Sequence, residues 1–467
     1  MIPFFPKQLS IQAILIYVGS LALVTLFFLP YAMQPLYLAV GVVWVAGFFF
    51  FAHHLSVRWQ GIPSGAYTTL LFGVALLLRF VCMTAMYFYF LFSTGIPFEF
   101  DTADALAYHL DAEWIASTSL KTGFGYIFRG NASVSDAGYY IYLSALYRII
   151  GPNIYLARVV KCLLSAWTCI LIYRMAARTF GEKTGRMAGI FCCLAPNLLF
   201  YCGLHLKETE MIFIVVATLE LVDRMIRSDK MTVWNFLLVI LLTSSLFLFR
   251  TVIGLAVGFS ALLTLFLGSP KLIANHRRFF LIVLSVAAVA VLSGGILFSE
   301  VQHTWDNRME NQIAKRTEQT ARGNLWAQYA TGVVMAPMMF VIPFPTMVDV
   351  DQQYNQQMLS GGNYVRNFLG IFVLISLFEM IFVYRDWRKS IPCVAFMVSY
   401  LGVLSLSGFA NSERFVLPAL PFLLIFAADG VARLNEMNYR WVKVWYCIVP
   451  LMAIGWAVFK LGSRGML

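Results

Sequence analysis

The segment Tyr67–Phe92, YTTLLFGVALLLRFVCMTAMYFYFLF, carries one charged residue, Arg79, among 26 residues. A helix needs about 20 apolar residues to cross the hydrocarbon core of a bilayer, so the segment predicts a membrane-spanning helix. Of the 467 residues, 60% are hydrophobic and 12% are charged. A soluble domain carries about twice that share of charged residues. The composition therefore predicts an all-α, polytopic membrane protein and excludes a soluble enzyme with a single anchor.

Apolar runs of similar length recur along the chain and predict a bundle of about thirteen transmembrane helices. The one charge inside the third span, Arg79, implies a partner or a polar cavity within the bundle. The predicted spans cover residues 11–29, 34–52, 67–92, 153–176, 186–203, 209–226, 233–249, 251–268, 279–298, 365–384, 391–409, 415–432 and 442–460.

The charges between these spans alternate from one loop to the next. Basic clusters follow every second span, and the excess of Lys and Arg in cytoplasmic loops predicts a cytoplasmic N-terminus. This pattern explains the net charge of +11 without a nucleic-acid partner. The opposite, external side receives two long loops, 93–137 and 299–364. Its short loops contain His205, Lys207 and Glu208, then Arg250, then Asn411, Glu413 and Arg414.

These loops divide the chain into four parts. Two N-terminal helices occupy residues 1–66, and a transmembrane core with the first external loop occupies 67–298. The second external loop, 299–364, contains the apolar stretch Trp326–Val350, which three prolines interrupt. Because proline disrupts a continuous helix, we expect this stretch to be re-entrant or to lie at the interface. Residues 365–467 form the C-terminal helices.

The first external loop contains the stretch Phe98–Ala116, FEFDTADALAYHLDAEWIA. Helical spacing places Leu106, Leu110 and Trp114 on one stripe and Asp104, Tyr108 and Asp111 on another. An amphipathic helix at the membrane interface would bury the first stripe and present the carboxylates to water or to a cavity.

The carboxylates of this helix have both structural and chemical interpretations. Asp101 suits an N-cap, and Asp104 suits a first-turn acid that faces the helix dipole. Either is also a candidate general base, and Asp104 is the stronger one because it leads the polar stripe. His109 with Glu113 one turn later is a weak metal-ligand pattern.

Three cations at external helix ends violate the charge pattern of the other loops. Lys207, Arg250 and Arg414 either bind an anionic substrate or form local ion pairs, Lys207 with Glu208 and Arg414 with Glu413. Arg158 and Lys161, one turn apart at the start of the fourth predicted span, suit snorkelling to the interface.

The motif Asp104-Ala-Leu-Ala-Tyr108-His109 resembles the Asp-x-x-x-Tyr-(His) signature in the first external loop of GT-C glycosyltransferases. These are polyprenyl-phosphate-sugar-dependent enzymes such as protein O-mannosyltransferases, the aminoarabinose transferase of lipid A, and bacterial family-39-like and family-83-like relatives. Later segments are similar to that family's run after the loop and to its late Arg-x-x-x-Pro-x-x-Pro span. They are Tyr155-Leu-Ala-Arg158, Ile172-Tyr173, Ala176-Ala-Arg178-Thr-Phe180-Gly181, Ala188, Ala195-Pro196, and Glu413-Arg414-Phe415 with Leu417-Pro418 and Pro421.

The resemblance implies a GT-C-like architecture and transfer of a sugar, with inversion, from a polyprenyl phosphate to a hydroxyl or amine of a glycan, lipid or protein. It implies a bacterial inner membrane, with the active site on the periplasmic face. The family's frequent Asp-Glu doublet is Asp104-Ala105 here, which leaves both Asp104 and Asp101 as candidate bases. Candidate substrate-binding residues are Tyr108, His109, Lys207, Glu208, Arg250 and Arg414.

Three candidate cations make a metal unnecessary for stabilising the leaving group, so we expect no metal or other cofactor. Two alternative functions remain from the sequence, namely a polysaccharide polymerase or ligase and a lipid-linked glycan transporter or flippase. A transporter would place ionisable residues near span midplanes and would contain paired, interrupted helices. Here most charges lie at helix ends, and only Arg79 fits clearly.

Overall fold

The computed structural model describes residues 5–100, 103–129, 134–228, 232–268, 336–350, 353–406, 412–462 and 464–466. Within these ranges every regular element is a helix, which confirms the predicted helical class. The N-terminal elements are α1 (Lys7–Phe27), α2 (Pro35–Arg58), α3 (Ser64–Thr94), α4 (Ala103–Ser117), α5 (Leu120–Arg129), α6 (Val134–Ile150), α7 (Ile154–Phe180), α8 (Glu182–Leu194), α9 (Pro196–Gly203), α10 (Glu208–Arg227), α11 (Val233–Phe249) and α12 (Thr251–Gly268).

The C-terminal part begins with an irregular, largely buried segment, residues 336–350, that opens with a short 3-10 turn. This segment overlaps the end of the stretch predicted to be re-entrant, whose residues 326–335 lie outside the described ranges. The helices that follow are α13 (Tyr354–Met358), α14 (Ser360–Phe378), α15 (Ile391–Leu406), α16 (Glu413–Val416), α17 (Leu420–Ala432) and α18 (Glu436–Gly462).

Nine helical segments in the described ranges are long and apolar enough to cross a membrane. The helix pair α8 and α9 adds a tenth if its 44° bend lies within one span. Two further predicted spans coincide with α10 and with α11, and α11 is a helix of 17 residues. The predicted span 279–298 lies outside the described residues. The chain is therefore a membrane-embedded helical bundle, and thirteen spans remain a prediction.

The basic loops meet at one end of this bundle, which we call the basic end. Arg178 of α7 pairs with Asp223 of α10 at 2.9 Å, and Arg227 donates to the Lys389 carbonyl at 2.8 Å. Arg186 of α8 donates to the Trp59 carbonyl, after α2, at 2.8 Å. Loops that the charge pattern assigns to one side are thus neighbours in space. That this side is cytoplasmic remains a prediction.

Close helix packing fixes the C-terminal half. A Cβ added at Gly430 of α17 would lie 1.9 Å from the Phe372 carbonyl oxygen of α14, so only glycine permits this approach. Small residues at such crossings let membrane helices pack backbone to backbone. Gly430 lies near the end of the span Glu413–Ala432, and α16 lies at its start.

Arg79 obtains its partners from the bend between α8 and α9. Pro196 has no amide hydrogen, so the Cys192 carbonyl four residues earlier loses its helical donor. Arg79 donates to the carbonyls of Cys192 and Cys193 at 3.1 and 3.2 Å, and to Ser165 Oγ at 2.6 Å. This buried arginine therefore caps the C-terminal end of a half-helix, where the dipole favours a cation.

Candidate functional site

Helix α4 lies against α6 at the end of the bundle opposite the basic end. Its buried face consists of Ala105, Tyr108, Ala112 and Ile115. Leu110 and Trp114, which the sequence assigns to the apolar stripe, are 52% and 44% exposed on the protein surface. Leu106, the first residue of that stripe, packs against the core. The other two residues of the predicted apolar stripe therefore turn away from the bundle, and Tyr108, assigned to the polar stripe, packs inside it.

A chain of ion pairs joins α4 to two distant parts of the sequence. Arg414, at the start of the span that contains α17, donates through Nη1 to Asp104 Oδ2 and through Nε to Glu208 Oε1 at 2.5 Å. Arg250 Nη2 reaches the same Glu208 oxygen at 3.4 Å. Glu208 is fully buried, whereas the Asp104 side chain is 52% exposed. Four predicted site residues thus form one network, with Asp104 at its open edge.

A second group of contacts surrounds Lys207. Its ammonium contacts Asp136 Oδ1 of α6 and donates to the Phe249 carbonyl, next to Arg250, at 2.6 Å. Tyr108 donates to the same Asp136 oxygen at 2.9 Å. Burial, then the charge of Arg250, lower the pKa of Lys207 to about 8. Tyr108 and Lys207 therefore share the Asp136 carboxylate, which lies on the α6 side of α4.

His109 belongs to a third chain of hydrogen bonds. Its Nδ1 lies 2.8 Å from the Tyr147 hydroxyl, and that hydroxyl lies 3.2 Å from His205 Nε2. Burial lowers the pKa of both imidazoles, and the charges of Arg158 and Lys161 lower that of His205 further. The Glu113 carboxylate lies 4.0 Å from His109, and no group of three or more potential metal-ligating side chains occurs in the described residues.

The three cations pair with acids far away in the sequence. Arg414 pairs with Asp104 and Glu208, and the neighbouring Glu413 instead accepts from Asn363 Nδ2 at 2.8 Å. Lys207 pairs with Asp136, 71 residues earlier. These long-range pairs connect α4, α6, α10 and α16. The local pairs expected from the sequence, Lys207 with Glu208 and Arg414 with Glu413, would connect no separate helices.

Other polar residues at this end were missed or misjudged from the sequence. Arg158 and Lys161 are fully buried and do not snorkel, because they lie on the face of α7 that packs inside the bundle. Asp136 gave no signal because helix α6 was not predicted. Glu99 was also overlooked; burial raises the pKa of its carboxyl, and the positive charges of Arg158 and Arg414 offset part of that rise. The candidate base Asp101 lies outside the described residues.

The site thus combines an accessible carboxylate with cations at the end of a membrane bundle. The cations Lys207, Arg250 and Arg414 face the carboxylates of Asp136, Glu208 and Asp104, so the paired groups are close to neutral together. Such an arrangement can orient a base and bind a polar substrate. No family model matches the sequence, and no curated protein is significantly similar to it.

Proposed function

We propose that the protein is a membrane glycosyltransferase that moves a sugar from a polyprenyl phosphate to an acceptor hydroxyl or amine, at the end of the bundle that carries Asp104. The observation that supports this most directly is the Asp104–Arg414–Glu208–Arg250 network. It holds an exposed carboxylate at a defined position on a helix predicted to lie at the membrane interface.

The proposed chemistry requires a base for the acceptor and cations near the donor. The Asp104 carboxylate takes the proton of the acceptor as its oxygen or nitrogen forms a bond to the anomeric carbon. The bond between that carbon and the phosphate oxygen breaks, and its electron pair remains on the polyprenyl phosphate. Positive groups stabilise the charge that develops there. The candidates are Lys207, Arg250 and Arg414 around the ion pairs of Asp104 and Glu208, and the buried Arg158 and Lys161.

Arg414 has a positioning role in this mechanism. Its Nε and Nη1 contact two different carboxylates, so the planar guanidinium fixes Asp104 relative to buried Glu208. A lysine offers one point charge in place of this fork. We also propose that the protein lies in a bacterial inner membrane, binds membrane lipid and has its active site on the periplasmic face.

The test combines purified protein in detergent with a panel of radiolabelled polyprenyl-phosphate sugars, with an acceptor fraction from the cell envelope. We expect release of polyprenyl phosphate with at least one donor. Asp104→Asn keeps the shape of the side chain but removes the proton acceptor, so turnover should fall about 10²–10⁴-fold while donor binding persists.

Asp111→Asn is the matched control, because Asp111 lies on the same helix and accepts from Tyr126 at 3.1 Å, outside the ion-pair network. It should retain activity. Asp101→Asn distinguishes the two candidate bases; loss at Asp101 with retention at Asp104 would transfer the assignment. Full activity of both variants would eliminate the carboxylate mechanism.

The alternative functions make different predictions in the same assay. A polymerase or ligase would consume a lipid-linked oligosaccharide and leave the single-sugar donors intact. A flippase would move lipid-linked glycans across a vesicle membrane without releasing polyprenyl phosphate. The bend at Pro196 alone does not favour a transporter, because Arg79 already satisfies the carbonyls that the bend exposes.

A further inference from the structure

A second polar cluster lies behind the ion-pair network, between α6, α7 and the turn before α10. Arg158 is fully buried and donates through Nη2 to the Pro97 carbonyl at 2.5 Å. Its Nε and Nη1 have no hydrogen-bond partner among the described residues. Buried donors in proteins are nearly always satisfied, and each exception calls for a ligand, water or functional explanation.

Further unsatisfied groups accompany Arg158. The Tyr139 hydroxyl and His205 Nδ1 are buried without a partner in the described part of the chain. The Tyr139 ring lies 6.4 Å from the His205 ring, and both residues interact electrostatically with Arg158. Arg158 also lies over the Phe98 ring at 6.0 Å. Several unsatisfied polar groups therefore gather around one guanidinium.

In the Asp104–Arg414–Glu208–Arg250 network, which we call the outer network, every cation has a carboxylate in direct contact. In this cluster, Lys161 and Arg158 differ in that respect. Lys161 has Glu210 at 3.7 Å and donates to the carbonyls of Leu204 and Leu206. Among the described residues Arg158 has no ion pair with a carboxylate within 4.0 Å. Glu99 is the acid that interacts most strongly with it, and Glu99 Oε2 is itself buried without a hydrogen-bond partner there. Burial raises the pKa of the Glu99 carboxyl. A buried cation with unsatisfied donors and no direct ion pair is costly, so an anionic ligand that accepts from those donors would stabilise this cluster.

We propose that Arg158, with Tyr139 and His205 beside it, binds the phosphate of a lipid-linked donor, which makes this cluster the phosphate subsite. The proposal rests on the proposed function for the identity of the ligand. Arg158 lies one turn after the first residue of α7, which begins the predicted span 153–176. Leu156 and Leu163 of the same helix are each 43% exposed and offer an apolar surface to an isoprenoid tail.

The subsite is tested by binding, independently of sugar transfer. The probe is farnesyl phosphate added to purified protein in detergent, with farnesol and inorganic phosphate as comparison ligands. Ligand binding to the folded state raises the melting temperature in a concentration-dependent way. We expect farnesyl phosphate to stabilise the protein and the two comparison ligands to have little effect. No stabilisation by farnesyl phosphate, or equal stabilisation by inorganic phosphate alone, would overturn the proposal.

Tyr139→Phe provides the sharpest variant, because it removes only a hydroxyl. If the hydroxyl has no ligand role, its removal deletes a buried unsatisfied group, which leaves stability unchanged or higher and binding unaltered. The proposal predicts the same stability result together with an affinity for farnesyl phosphate that is several-fold weaker. Unaltered affinity in Tyr139→Phe would contradict the role given to Tyr139.

Arg158→Lys keeps the charge but removes the guanidinium donors, and we expect it to weaken farnesyl phosphate about tenfold or more. Arg79→Lys is the matched control, since Arg79 is equally buried but bonded within the protein. It should retain binding. Loss of binding in Arg250→Lys and Arg414→Lys with retention in Arg158→Lys would place the phosphate in the outer network and refute the proposal. Binding without any transferase activity would refute the proposed function alone.

Discussion

Replacing Glu208 by Gln should destabilise the protein more than the same change at Glu182, a partly exposed carboxylate at the basic end. Glu208 is 0% exposed and its Oε1 contacts Arg414, whose side chain is 22% exposed, and Arg250, whose side chain is 8% exposed. Removing one partner of a buried pair typically costs about 3–5 kcal/mol, because the remaining charge is left uncompensated. Gln still accepts one hydrogen bond, so we expect a loss of about 3 kcal/mol, the lower end of that range.

The measurement is equilibrium unfolding of the purified protein in mixed SDS and detergent micelles. Glu182→Gln is the control at the basic end, where the Glu182 side chain is 44% exposed and pairs with Arg186 at 2.7 Å. Because this carboxylate is partly exposed to solvent, its loss should cost less than the loss of the fully buried Glu208 carboxylate.

A double-mutant cycle then tests the pairing itself. Combining Glu208→Gln with Arg250→Gln removes the uncompensated cation, so the double variant should be more stable than the two single effects predict, by about 0.5–3 kcal/mol. An unchanged free energy of unfolding in Glu208→Gln, or strict additivity in the cycle, would refute the network as the element that holds this end of the bundle together.

Two further predictions concern charge and topology. Burial and the charge of Arg250 lower the pKa of Lys207 from 10.5 to about 8. Between pH 8 and pH 10.5 the unfolded protein therefore binds more protons than the folded protein, so the free energy of unfolding should rise with pH over this range. Transfer activity should instead fall above about pH 8 as the ammonium loses its proton, and Lys207→Arg should extend activity to higher pH. A pH profile shared by the wild type and Lys207→Arg would remove Lys207 from the mechanism. In a cysteine-free background on intact cells, an impermeant thiol reagent should label Ser117→Cys and should not label Ser228→Cys. The reverse labelling pattern would show that the predicted membrane orientation is inverted.

The spans were predictable from the sequence because the signal is local. The run at 67–92 corresponds to α3, Ser64–Thr94, and only one charge interrupts it. Membrane helices satisfy their own backbone, so length and apolar composition are enough to locate them. The bend before Pro196 follows from the same local chemistry, yet no sequence pattern indicated that Arg79 would cap it. That contact depends on how α3 and α8 pack.

The residues of the ion-pair network could be identified from the sequence, but the pairs that they form could not. Asp104, Glu208, Arg250 and Arg414 were all singled out as charges near external helix ends, and the structure joins them. Their partners could not be assigned, since Asp104 and Arg414 are 310 residues apart. No periodicity specifies a contact at that separation, which results from the packing of α4 against the rest of the bundle.

Burial explains why Arg158 was undervalued. On an isolated helix, a cation one turn from the membrane boundary extends its side chain to water, which is the commoner behaviour. In the bundle, α3 and α9 pack against α7, and Arg158 is enclosed with unsatisfied donors. Cations in direct ion pairs with carboxylates can hold a site together, whereas a buried cation with unsatisfied donors and no direct ion pair favours binding of an anion. The outer network and the Arg158 cluster therefore suit different tasks, positioning of the acceptor base for the first and retention of the lipid phosphate for the second.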